Sequence, residues 1–158
     1  MRIAISGHRG LPDHTVRLVD DAIRVELARY RADDLVGISC LADGADQLFA
    51  RAVLDAGGSL EVIVPATKYR DGLPPESHAE YDRLIERARS VERLDHLDST
   101  QQAHMDASRV MLERADMLLA VWDGKPARGY GGTADVVQLA RDMRKPVVVV
   151  WPEGASRE

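Results

Sequence analysis

Four short segments hold the residue types that could bind or transform a small molecule. They are Gly7-His8-Arg9-Gly10, Asp43-Gly44-Ala45-Asp46, the stretch after Pro65 with Lys68, Tyr69 and Arg70, and Asp123-Gly124 followed by Gly129-Tyr130-Gly131-Gly132-Thr133. Glycine lets a ligand approach a backbone that a Cβ would shield. Free N–H groups at the positive end of a helix dipole attract anions. The Gly131-Gly132-Thr133 turn is the sharpest candidate: its amides and the Thr133 hydroxyl could hold a phosphate, or Thr133 could only cap a helix. Gly7 and Gly44 place two more glycine loops beside it. Arg9 offers a charge-assisted contact to phosphate, and His8 a donor or an acid–base group, unless both are solvated loop residues. Asp46 falls in a first helical turn, where it either complements the dipole or binds ribose hydroxyls. Asp135 is a candidate general base or another dipole partner. Asp123 ends a strand, beside an Asp-Gly pair that is also a plain turn signal.

The elements that must position these residues follow from the apolar pattern. Residues 3–6, 36–40, 60–64, 117–122 and 146–151 are short apolar runs without alternation, as expected of strands buried on both faces. Residues 91–94 make a weaker strand. Between them lie helical periods. Val16, Val19, Ile23, Leu27 and Tyr30 form one stripe; a second helix starts near Asp43 as its cap and ends at Gly57-Gly58; others cover 76–89, about 100–115 and 133–143. Strands alternating with helices give an α/β fold: one doubly wound, mainly parallel sheet with helices on both faces. The expected strand order is 3-2-1 followed by the two C-terminal strands. Ligands of such sheets sit at the carboxyl ends of the strands, where all four segments fall.

Composition narrows the function classes. A chain of 158 residues is one domain, expected over 1–152 with a short tail at 153–158. The net charge of −5 argues against a general nucleic-acid or membrane-surface binder, so neither partner is expected. One cysteine, Cys40, excludes a disulfide framework, and the histidine spacing predicts no metal site. Apolar runs are too short to span a bilayer, the amino end lacks a signal-peptide pattern, and a cytoplasmic location is expected. Arg109, on the helix of His104, reads as a solvent ion pair. Tyr69 and Trp122 could stack on a base, with core packing favoured for Trp122. P-loop, G-x-S-x-G and complete G-x-G-x-x-G motifs are absent.

The Ser6-Gly7-His8-Arg9 strand end, the Asp43-Gly44-Ala45-Asp46 helix start and the tail from Ala115 to Gly124, with Gly131-Gly132-Thr133 and Lys145-Pro146-Val147 beyond it, resemble the SLOG superfamily. The nearest branch is the YpsA-like proteins; LOG cytokinin-activating phosphoribohydrolases and the DNA-processing protein A fold are more distant. The resemblance implies a Rossmann-like nucleotide-binding fold, often dimeric, with the ligand phosphate at the glycine-rich helix start; no cofactor is expected. LOG enzymes place a catalytic Glu three positions after the Thr of P-G-G-x-G-T-x-x-E; here that position is Val136, and the nearest acid is Asp135. The expectation is therefore binding or sensing of a nucleotide-derived small molecule by Gly7, His8, Arg9, Gly44, Asp46, Asp123, Gly131, Gly132 and Thr133. The alternative is a nucleoside 5′-monophosphate N-glycoside hydrolase using Asp135 or Asp46.

Overall fold

The computed structural model describes residues 1–157. Six parallel strands form one sheet: β1 (Arg2–Gly7), β2 (Val36–Ser39), β3 (Ser59–Val64), β4 (Ser90–Arg93), β5 (Met117–Val121) and β6 (Val147–Val150). Their order is β4-β3-β2-β1-β5-β6. This agrees with the expected order, and the weak fourth run takes one edge. Five helices connect them: α1 (Asp13–Leu27), α2 (Ala45–Asp55), α3 (His78–Arg87), α4 (Gln101–Arg114) and α5 (Thr133–Asp142). Among the described residues no helix is long and apolar enough to cross a membrane.

Alternation along the central strands explains why their sequences read as unbroken apolar runs. On β5, Met117, Leu119 and Val121 join one apolar cluster with α1 and α2, through Val19, Ile23, Leu27, Phe49 and Val53. Leu118 and Ala120 join the other, with Tyr81 and Leu84 of α3, Met111 and Leu112 of α4, and Val136 and Val137 of α5. A strand whose two faces both lie under helices has no polar side to show.

At the amino edge of the sheet, Arg2 and Arg89 each reach Glu61 at 2.6 Å. Burial alone would raise the Glu61 carboxyl, but the two guanidiniums outweigh it and hold the group below the ordinary glutamate value.

Helix ends depart from the sequence reading in two places. Asp43 does not cap α2; the cap is Gly44, at φ 86°, and the Asp43 carboxylate instead takes the Arg9 Nε–H at 2.7 Å and the Gly10 N–H at 3.2 Å. The expected 76–89 helix starts later, because Pro75–Ser77 forms a 3₁₀ turn before α3.

At the far end of α5, Arg144 adopts φ 59°. Its N–H bonds Arg141 O at 3.0 Å, and the Lys145 N–H bonds Ala140 O at 2.8 Å. This left-handed position after a helix suits glycine, since a Cβ there crowds the following carbonyl. Arg144→Gly should therefore stabilise the fold by about 1 kcal/mol, measured by urea unfolding. A fall in stability would mean that the arginine side chain contributes more than its backbone costs.

Candidate functional site

The sheet order reverses beside β1: the chain runs from β1 to β2 on one side and returns to β5 on the other. Loops leaving the carboxyl ends of such neighbouring strands part from one another and open a crevice. Here they enclose a cleft of about 370 Å³, a size within the roughly 300–1,000 Å³ of small-molecule sites.

One wall is built by close backbone packing. A Cβ on Gly7 would stand 2.3 Å from Ala45 Cβ and 2.8 Å from Val121 Cβ, and one on Gly44 would stand 2.6 Å from His8 O. These two glycines bring the start of α2 against the end of β1. Gly7 lines the cleft but Gly44 does not, so the work of Gly44 is to let the α2 start close onto the loop after β1.

Asp46, in the first turn of α2, lines the cleft and is only 8% exposed. Its Oδ2 accepts the Ala42 N–H at 3.3 Å. Burial is the chief cause that pushes its carboxyl up to about 7, with the Ala42 N–H and the Arg9 charge opposing only in part. The loop before it is strained: Leu41 sits at φ 60°, held by its N–H to Ser39 Oγ and by Gln47 Nε2 to its carbonyl. A non-glycine residue in that conformation costs on the order of 1–3 kcal/mol and is kept only where its surroundings enforce it.

His8 is buried, with its ring edge-on to Trp151 at 5.4 Å. Its Nε2 accepts the Asp123 N–H at 3.1 Å, so the ring proton belongs on Nδ1. The same Nε2 lies 3.3 Å from Asp123 Oδ1. Burial foremost, then the charge of Arg157, lowers the His8 pKa, and Asp123 opposes them incompletely. The imidazole is thus neutral near pH 7. Asp123 itself does not line the cleft. Its Oδ1 accepts the Lys125 N–H at 3.0 Å and its Oδ2 lies 3.5 Å from Arg157 Nη1, which makes it an organiser of the loop after β5.

That loop ends at the start of α5. Gly132 is the cap, at φ −71°, and Thr133 is the first helical residue; the positive φ of the turn, 89°, belongs to Gly131. Gly131, Gly132 and Thr133 all line the cleft. Asp135 does not, because its Oδ2 accepts the Gly131 N–H at 3.0 Å and fastens the turn.

Three guanidiniums share the lining: Arg9, Arg128 and Arg157. The opposite wall is less polar, with Cys40, Pro65, Tyr69 and Met111, and His104 and Ser108 of α4. His104 meets Tyr69 edge-on at 5.6 Å and lies 2.7 Å from Ser99 Oγ. Burial, with Arg9 second, lowers its pKa. Trp122 stays outside the cleft and donates its indole N–H to Lys125 O. Sequence reading passed over Arg128, His104, Ser108 and Arg157. The spacing of four between His104 and Ser108 put them on one helix face and could have flagged them. Arg157 carried no periodic or motif signal at all.

No family profile and no curated protein matches the sequence. Solved structures do match. DNA processing protein A from Streptococcus pneumoniae has a TM-score of 0.70 at 15% identity, over 97% of this chain and 51% of that one. The Helicobacter pylori protein of the same name, described with its single-stranded DNA binding mode, has a TM-score of 0.70 at 17% identity, over 99% and 68%. The molybdenum cofactor carrier protein from Chlamydomonas reinhardtii has a TM-score of 0.59 at 16% identity, over 94% and 74%. The chain thus spans about half the length of the pneumococcal protein.

These likenesses overturn the expectation of no nucleic-acid partner, since DNA processing protein A structures are among the matches and one concerns single-stranded DNA. The physical reason lies in the charge argument. A net charge of −5 sums the whole chain and does not register three guanidiniums gathered at one cleft. The strand order, the helices on both faces and the solved structures that share them give this chain a Rossmann-like α/β fold of the kind seen in DNA processing protein A and the molybdenum cofactor carrier protein.

Proposed function

We propose that the cleft binds a phosphorylated, nucleotide-derived ligand. The observation that carries this reading is the convergence of the α5 amino end, with Gly131, Gly132 and Thr133, on the same space as Arg9, Arg128 and Arg157. The positive end of a helix dipole and three arginines around one cavity favour a multivalent anion such as phosphate. The less polar wall with Tyr69, His104 and Met111 suits the ring of a base, and Asp46 the hydroxyls of a ribose. N-glycoside hydrolysis is the weaker reading, because Asp135 is fastened to the Gly131 amide and lies off the cleft. Single-stranded nucleic acid is a second reading, supported by the likeness to the DNA-binding protein of Helicobacter pylori; it would present a nucleotide unit to the same residues.

Thermal shift and titration with AMP, ADP, ADP-ribose, cyclic nucleotides, NAD and a short oligothymidylate test both readings. A ligand present at about 100 times its Kd adds about 2.7 kcal/mol. Oligonucleotide binding that weakens steeply with salt, with no response to mononucleotides, would favour the second. A flat response to all of them would overturn both.

Gly132→Val sharpens the test. Gly132 has an ordinary φ, so the backbone is not strained, but its Cβ would lie 2.9 Å from Ala127 Cβ and 3.3 Å from Gly129 O. The turn must open where it lines the cleft. Affinity for whichever probe binds should fall by about tenfold or more, a loss of about 1.4 kcal/mol or above, while the melting temperature moves little. A lower melting temperature with unchanged affinity would make the turn a structural cap only.

A further inference from the structure

After β6 the chain turns back across the amino end of α1. Ser156 is fastened to Thr15 twice: its N–H donates to Thr15 Oγ1 at 3.0 Å, and Thr15 Oγ1 donates to Ser156 O at 3.1 Å. Ser156 Oγ also lies 3.2 Å from His14 Nε2. Thr15 is fully buried and is not part of the cleft.

The next residue, Arg157, is thereby carried into the cleft lining with its side chain only 18% exposed. Ordering and burying an arginine is costly, and among the described residues its carboxylate partner is Asp123, at 3.5 Å. Asp123 already accepts the Lys125 N–H and faces His8. A guanidinium so placed lines the cleft beside Arg9 and Arg128, and its 3.5 Å pair with Asp123 is long enough to yield to a closer anion.

We infer that Arg157 is an anion-contacting residue of the cleft, carried there by the segment after β6 and held in place by the Thr15–Ser156 bonds. This rests on the proposed phosphate site and extends it to a segment that no loop motif marks. The anion would draw on Arg157 in competition with Asp123, and its binding would tie the β6 tail to α1 and to the loop after β5 at once.

The test uses inorganic phosphate and AMP as probes, by calorimetry, on the wild type and on Arg157→Ala, Arg157→Lys and Thr15→Val. Thr15→Val keeps the buried shape and removes the hydroxyl. Arg157→Ala should weaken both probes about tenfold, the size of one charge-assisted hydrogen bond. Arg157→Lys should recover part of that loss, since it keeps the charge without the fork. Thr15→Val should weaken both in the same direction from outside the cleft.

An NMR titration of His8 supplies a readout that needs no ligand. Its pKa should rise in Arg157→Ala and in Thr15→Val, because the guanidinium that depresses it has gone or swung away. An unchanged His8 pKa in Arg157→Ala, or equal affinities in that variant and the wild type, overturns the inference. Loss of affinity in Arg157→Ala without any in Thr15→Val overturns the role of the Thr15 bonds. If the wild type binds neither probe, the phosphate site itself fails and the anion role of Arg157 falls with it.

Discussion

Gly7→Ala is expected to cost about 3 kcal/mol, the upper end of the usual penalty for adding a methyl to a packed interior. The added Cβ would sit 2.3 Å from Ala45 Cβ, 2.8 Å from Val121 Cβ and 3.3 Å from Val121 O. None of these atoms is the end of a flexible side chain. Ala45 is the first residue of α2 and Val121 the last of β5, so relief requires α2 to move away from the sheet or β5 to separate from β1. Either shift also displaces Asp46 and the loop after β5, so any ligand affinity should fall together with stability. Urea unfolding of Gly7→Ala, Ala45→Gly and the double variant measures the contact. The double variant should recover much of the loss, because it removes the methyl that the new one strikes. A Gly7→Ala protein as stable as the wild type would show that β1 and α2 are not in this contact.

The contrast between Gly7 and Gly132 shows what a motif can and cannot tell. Both were read as glycines that admit an anion. Both line the cleft, yet the space a Cβ would take at Gly7 is filled by two core methyl-bearing residues, whereas at Gly132 it is filled by the same loop. The fold was legible because parallel strands buried on both faces must be apolar at every position, and helices that cover them must repeat near every third or fourth residue. The carboxyl-end loops follow from that topology, which is why Gly7, His8, Arg9, Asp46, Gly131, Gly132 and Thr133 do meet at one cleft.

What local patterns could not give is which polar side chain is consumed by the protein. Asp43, Asp123 and Asp135 are all loop or helix-start acids, and each turns out to satisfy nearby backbone N–H groups, of Gly10, Lys125 and Gly131. That choice depends on loop geometry over several residues. Arg157 depends on still longer range, since the bonds that place it reach back 141 positions to Thr15.

Asp46→Asn is expected to make the protein more stable at pH 8 and to leave it nearly unchanged at pH 4. The sign follows from the direction of the shift. The Asp46 carboxyl is raised from an ordinary 3.8 to about 7 in the folded chain, chiefly by burial. Below pH 3.8 the group is neutral in both folded and unfolded chains and costs nothing. As pH rises toward 7 the unfolded chain ionises and the folded one resists, so the wild type loses stability across that window and the asparagine variant does not. The span between the two values, at about 1.4 kcal/mol for each pH unit, makes the gain on the order of 4 kcal/mol above pH 7. The asparagine carbonyl can still accept the Ala42 N–H, so the substitution keeps that hydrogen bond. Paired melting curves from pH 4 to pH 8 check the prediction, and curves that stay parallel would show that Asp46 ionises freely. Curves that diverge as expected would make Asp46 a cleft residue kept at a cost in stability, and such residues gather at functional sites. The same variant therefore serves a second measurement: AMP affinity at pH 8 should fall as stability rises, because the carboxylate that the ribose hydroxyls would meet is gone.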